Sequence, residues 1–138
     1  METIFLDTNI IIRYLTNDDP QKAEIARSIL KQAEQGTVTL VASESIIVEA
    51  VQVLSSAKLY GLLREQVADS LLAVLALPGL KIQNKRSYGR ALALWVAHRI
   101  DFVDALSVAQ MERQNITMIA TFDRDFDRFG GIIRRPEG

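Results

Sequence analysis

Two short runs of unbroken apolar or β-favouring residues punctuate the chain, Thr3–Leu6 near its start and Thr117–Ala120 near its end. Each is followed at once by a small polar and acidic segment. Continuous runs of this length predict strands buried on both faces, as found inside a parallel sheet. Between them the hydrophobic period changes to that of a helix. Asn9–Leu15 predicts a short helix starting at the end of the first strand. Asp19 as cap and Pro20 at the first helical position open the next helix. Ala26, Ile29, Leu30 and Ala33 line its apolar face until Gly36 ends it.

Val38–Ala42 predicts a second strand, and Ser43 or Ser45 caps a helix with Ile46, Ile47, Ala50, Val53 and Leu54 on its apolar face. A helix from about Arg64 to Leu77 is stopped by Pro78-Gly79, and Leu80–Ile82 predicts a brief strand. Ser87 opens a helix running to Arg99. Asp101 starts another, with Ala105, Leu106 and Ala109 on its apolar side. Gly130-Gly131 and Ile132-Ile133 predict a turn and a last strand. Strands alternating with helices define an α/β fold with a parallel sheet. With 138 residues and no repeat or linker, a single domain over 1–138 is expected.

Composition narrows the chemistry. Sixteen basic and seventeen acidic side chains nearly cancel, so any polyanion must be met by a local patch. Arg13, Lys58, Arg64, Lys85, Arg86, Arg90 and Arg99 are candidates for one. The absence of cysteine removes disulfides, thiolate metal sites and a cysteine nucleophile. The single histidine, His98, excludes a multi-histidine zinc site within one chain. Its spacing from Leu94 and Trp95 places it at the core or core edge. No apolar run reaches the roughly 18 residues of a membrane span. The amino terminus shows no secretion-signal pattern, so a cytoplasmic location without membrane contact is expected.

Four acidic residues stand at informative places. Asp7 follows the first strand and Asp123 follows the strand at Thr117–Ala120. Asp104 lies in the first turn of a helix, and Glu49 sits near a helix start, about 40° round the wheel from Val53. Each has an ordinary reading: Asp7 as a helix cap, Glu49 as a side chain reaching for water, Asp101 and Asp104 as acids stabilising a helix start. Glu44 is explained by the helix dipole, and Asp123, Asp125 and Asp127 by a solvated turn. Together, however, Asp7, Glu49, Asp104 and Asp123 all map to the carboxyl edge of a parallel sheet, where open α/β folds place ligands. Converging carboxylates raise one another's pKa unless a cation compensates. Oxygen donors without histidine or cysteine suit Mg²⁺ or Mn²⁺, ions that contact phosphate oxygens.

Four segments in order carry a family resemblance: Phe5-Leu6-Asp7-Thr8-Asn9 with Arg13-Tyr14-Leu15, then Ser45-Ile46-Ile47-Val48-Glu49. Asp101-Phe102-Val103-Asp104-Ala105-Leu106 and Ala120-Thr121-Phe122-Asp123-Arg124-Asp125-Phe126 follow. In order, spacing and length the chain resembles the PIN-domain family, and within it the small VapC-like toxins of toxin–antitoxin pairs. The resemblance implies a three-layer α/β/α domain with a central parallel sheet. It implies a Mg²⁺- or Mn²⁺-dependent endoribonuclease, a homodimer neutralised by a cognate antitoxin protein, with Asp7, Glu49, Asp104 and Asp123 as both the catalytic and the metal-holding set. Thr8 and Asn9 match its small polar support positions, and Thr121 matches the hydroxyl before its last aspartate. Asp101 and Asp125 are acidic but not assigned to the metal.

Other readings remain open on the residues. A phosphoaspartate phosphatase needs a second aspartate two positions after the first, where Asn9 stands. A receiver domain needs an acidic pair after its first strand, and Asp7 is alone there. A PIN-type nuclease of RNA processing shares the same acids without being a toxin. A binding module whose acids only cap helices predicts little metal affinity.

Overall fold

The computed structural model describes residues 1–137. The chain forms two compact units, residues 1–85 and 86–138. The first contains β1 (Glu2–Phe5), α1 (Thr8–Leu15), α2 (Pro20–Glu34), β2 (Val38–Ala42), α3 (Ser45–Ser55), α4 (Arg64–Leu75) and β3 (Leu80–Ile82). The second contains α5 (Lys85–His98), α6 (Phe102–Gln114), β4 (Met118–Ala120), a short 3₁₀ helix (Arg124–Arg128) and β5 (Ile133–Arg135). All strand pairing is parallel, which is the α/β architecture expected from the alternation. It is divided between a three-stranded sheet of order β1-β2-β3 and a two-stranded sheet of β4 and β5.

In the first unit β2 is the central strand. Val38, Leu40 and Ala42 are buried while Thr39 and Val41 are half-covered, the alternation of a strand with one fully packed face. Ile11, Ile47, Leu54, Val67 and Leu71, all fully buried, supply the core. Each such side chain contributes about 1.5–3 kcal/mol. Helix α1 packs against α2 and α3, and α3 against α4. Asp19 accepts a hydrogen bond from the Lys22 amide (3.1 Å) with Pro20 at the first helical position, as expected. The turn at Gly36 takes a left-handed φ of 75°, which its lack of a Cβ permits.

In the second unit Leu92, Trp95, Phe102 and Val108 are buried, with the Trp95 and Phe102 rings edge to face at 6.0 Å. His98 is half-buried and lies against Phe129 with ring centroids 4.5 Å apart, the core-edge position its spacing predicts.

Two expectations fail on burial. Neither apolar run forms a strand covered on both faces. Phe5 in β1 is 70% exposed and Met118 in β4 is 46% exposed. Among the described residues, β1 lies at the edge of the three-stranded sheet of the first unit, and β4 pairs with β5 in the two-stranded sheet of the second. The expected serine cap of α3 is also absent, because Glu44 occupies the cap position with helical backbone and no side-chain cap bond. Glu44 instead accepts from the Asn84 amide at 2.6 Å. On α3, Val51 rather than Val53 is buried beside Leu54. Asp101 stands at the cap position of α6 without a side-chain cap bond, and α5 begins at Lys85, two residues before Ser87.

Candidate active site

The first unit carries Asp7 and Glu49, with Asp7 at the carboxyl end of β1. The Leu6 amide donates to the Val41 carbonyl (2.7 Å), extending the register with β2 just past the strand. Leu6 is buried, which fixes the backbone and leaves Asp7 pointing out of the core as an exposed residue. Asp7 has extended backbone and accepts from the Asn9 amide at 3.3 Å, so it does cap α1. Capping engages Oδ2 and leaves the other carboxylate oxygen available. Thr8, the first residue of α1, donates its hydroxyl to Glu49 Oε2 at 2.9 Å. Glu49 is carried by the middle of α3, so this bond places its carboxylate beside the residue that follows Asp7. The border position inferred for Glu49 on the helical wheel is what makes it exposed and able to reach Thr8.

The second unit carries Asp104 and Asp123. Asp104 lies in the first turn of α6. Its carboxyl is pushed above the ordinary carboxylate range, chiefly by partial burial and then by the charges of Asp123, Asp101 and Asp125. The structure therefore brings Asp104 and Asp123 into electrostatic contact from separate elements. Asp123 is held in place twice: its amide donates to Thr121 Oγ1 (3.1 Å) and its Oδ1 accepts from the Asp125 amide (2.9 Å). The Thr121 hydroxyl thus fixes the backbone at Asp123. Asp125 lies 3.5 Å from the Arg128 guanidinium, so a cation already stands beside it.

Among the described residues, no three aspartate, glutamate or histidine side chains are grouped in a metal-holding arrangement. What the structure shows is two carboxylate neighbourhoods, one per unit. Their donor chemistry fits a hard divalent cation: oxygen donors only, and in the second unit a repulsion that raises Asp104 and that a cation would relieve.

The basic candidates mostly have other partners. Arg13 pairs with Asp18 (3.2 Å), Arg90 with Glu112 (2.9 Å), and Lys85 donates to the carbonyls of Leu80 (2.8 Å) and Leu77 (3.4 Å). Burial and the charge of Lys81 lower the Lys85 ammonium. Arg113, absent from the sequence candidates, lines a recess with Arg86 and Arg90. It lies in the last turn of α6, where helix-dipole complementarity masks any further signal.

With this geometry in hand, the relationship to known proteins is direct. The PIN domain family model matches residues 4–132, and the chain belongs to that family. Among solved structures, the chain is similar to the crystal structure of VapBC2 from Rickettsia felis bound to a DNA fragment from their promoter. That match has 18% sequence identity, covers 96% of this chain and 97% of that chain, and has a TM-score of 0.37, too loose to carry an argument. No curated protein matches the chain. Among the described residues no helix is long and apolar enough to cross a membrane.

Proposed function

We propose that this PIN domain is a Mg²⁺- or Mn²⁺-dependent endoribonuclease, acting as a single domain over residues 1–138 and as the toxin of a toxin–antitoxin pair. The observation that carries the reading is that α6 and the segment after β4 bring Asp104 and Asp123 close enough for the Asp123 charge to add to the burial that raises the Asp104 carboxyl. Carboxylates brought together without a counter-charge are costly, and a bound cation removes that cost. Family membership supports the nuclease class, and the resemblance to the small VapC-like toxins in segment order, spacing and length supports the toxin assignment.

On this reading Asp7, Glu49, Asp104 and Asp123 would hold the ion, which would supply positive charge for the phosphate oxygens and lower the pKa of the attacking water. Thr8 orients the Glu49 carboxylate, and Thr121 with the Asp125 amide orients Asp123. With no cysteine and with His98 packed on Phe129, the chain offers few groups for a covalent intermediate. Direct attack of water on phosphorus is therefore the favoured route, in line, leaving a 5′-phosphate and a 3′-hydroxyl. The partners are RNA, a cognate antitoxin and a second copy of the chain, in the cytoplasm. A basic side chain of the antitoxin would compensate the acidic site in place of the cation.

The test is Asp7→Asn. Asparagine caps a helix as well as aspartate, so α1 keeps its start while the site loses a charge. Cleavage of single-stranded RNA should fall at least about 100-fold, since even supporting groups of metal sites cost 10–100-fold. Wild-type protein should be silent with chelator and recover with Mg²⁺ or Mn²⁺. Wild-type rates from Asp7→Asn, or full activity in chelator, would overturn the assignment.

A further inference from the structure

A recess of about 270 Å³ in the second unit, lined by Arg86, Ser87, Arg90, Ala109, Glu112 and Arg113, has no role in the site described above. We propose that it binds a backbone phosphate of a single-stranded polynucleotide through the guanidinium groups of Arg86 and Arg113 and the hydroxyl of Ser87. The proposal rests on the nuclease reading and extends it to how the strand is held.

Charge comes first. Glu112 is engaged by Arg90 in a two-point contact, Nε to Oε2 at 2.9 Å and Nη2 to Oε1 at 3.2 Å, which holds the Arg90 guanidinium above its ordinary range. Arg86 and Arg113 are exposed and have no ion pair or hydrogen bond among the described residues. The recess therefore carries uncompensated positive charge on two planar donor forks. Such forks match phosphate oxygens in pairs of hydrogen bonds.

Ser87 adds an independent sign. It is 3% exposed, and its Oγ is buried with no hydrogen-bond partner among the described residues. A buried hydroxyl left unpaired costs about 1–3 kcal/mol. A hydroxyl reorients about one torsion, so a ligand oxygen in the recess would give Ser87 its acceptor. Ser87 also lies in the first turn of the 14-residue α5, where the helix dipole favours an anion.

The same lining has no aromatic ring, and Ala109 is its one apolar side chain, so it offers no aromatic platform on which a base stacks. Contact with phosphate alone positions a strand without reading its sequence. Arg113 lies nine positions after Asp104 on α6, about 13 Å along the helix axis and half a turn round it. Round a helix about 10–12 Å in diameter, the rise and half turn together make a path of roughly 20–23 Å, about six or seven nucleotides at ~3.4 Å per phosphate.

The experiment measures anisotropy of a labelled single-stranded RNA on the full chain, in chelator to prevent cleavage, across a salt series. Arg86→Gln and Arg113→Gln should each weaken binding, and the double variant R86Q/R113Q should reduce the slope of log K against log salt by about 0.7, the value for one single-strand phosphate contact. Lys31→Gln on α2 is the control and should leave the slope unchanged. Ser87→Ala should weaken binding without lowering the melting temperature, an outcome that a purely structural serine would not give. A wild-type slope in the double variant R86Q/R113Q overturns the proposal. So does binding of polyglutamate, in place of RNA, that is lost in the same double variant, which would assign the recess to an acidic protein. If wild-type chain binds and cleaves no RNA, the nuclease reading fails by itself, and inorganic phosphate is titrated against the arginine Nε–H signals. Shifts at Arg86 and Arg113 would then leave a free-phosphate site and overturn the strand assignment; no shifts would overturn the recess altogether.

Discussion

Thr8 donates its hydroxyl to Glu49 at 2.9 Å across 41 positions of sequence, and by this bond α1 and α3 share one polar contact at the mouth of the first unit. The donor sits next to Asp7, so the orientation of the Glu49 carboxylate depends on the turn that presents Asp7. Thr8→Val keeps the branched shape and removes the donor. It should lower cleavage or metal affinity about 10–100-fold, the usual cost of losing a group that orients a ligand. Thr8→Ser should retain most of both. Equal losses in the two variants would show that shape, and not the hydroxyl, matters.

Asp104 should mark the second unit by its response to pH. Its folded pKa lies above the unfolded value, first through burial and then through Asp123, Asp101 and Asp125, whereas Asp125 has Arg128 beside it. A raised carboxyl contributes stability below its unfolded pKa and loses it as pH rises through the folded value. At neutral pH the ionised group is thus a liability. Asp104→Asn should melt higher than wild type at pH 7 in chelator, and the gap should close as pH falls toward the carboxylate range. Thermal melts across pH measure this, and no gap at pH 7 would contradict the electrostatic contact.

Gly79 tests the packing of the first unit. Its amide donates to the Ala33 carbonyl (3.0 Å) and its carbonyl accepts from the Leu40 amide (2.7 Å), tying the end of α2 to the start of β3 and to β2. A Cβ here would lie 2.7 Å from the carbonyl oxygens of both Ala33 and Val38. Those are backbone atoms and cannot swing aside. Gly79→Ala should cost about 1–3 kcal/mol, the range for overpacking a well-filled site. Denaturant midpoints read the loss directly.

Tyr60 and Asp18 should titrate as partners. The Tyr60 phenol donates to Asp18 Oδ2 at 2.6 Å, and Thr16 donates to Oδ1 at 2.9 Å. These bonds, Tyr60 first, hold the Asp18 carboxyl below its ordinary value, with Arg13 adding to the effect, and Asp18 in turn pushes the phenol up. A lowered carboxyl contributes stability above its unfolded pKa and loses it as pH falls through the folded value. Tyr60→Phe should return Asp18 toward the ordinary range, seen by carboxyl NMR titration. In wild type Tyr60 should ionise at higher pH than a free phenol. An unmoved Asp18 would refute the contact.

Much of this was legible in the chain. Helical period, Pro20 after Asp19, the stop at Pro78-Gly79 and the alternation of strands and helices are local signals, set by backbone sterics and by which face must leave water. They located the six α-helices of the described residues and placed Asp7 and Asp123 after strands, Asp104 at a helix start and Glu49 at the border of an apolar face. The missing cysteines and the single histidine limited the metal chemistry to hard oxygen donors, because composition does not depend on the fold.

Burial of the strands was a different matter. Thr3–Leu6 and Thr117–Ala120 read alike as runs for a sheet interior, yet Phe5 and Met118 are exposed while Leu40 is wholly buried. A strand's coverage is set by which neighbours pair with it, and that is a long-range property no single run encodes. The same holds for side-chain partners. Nothing local predicts that Thr8 meets Glu49, that Tyr60 meets Asp18, or that Asp123 raises Asp104, since each bond joins residues that only the tertiary fold makes neighbours. Ser87 shows the limit from the other side: its type and place predict a helix cap, and only packing between elements could bury its hydroxyl without a partner among the described residues.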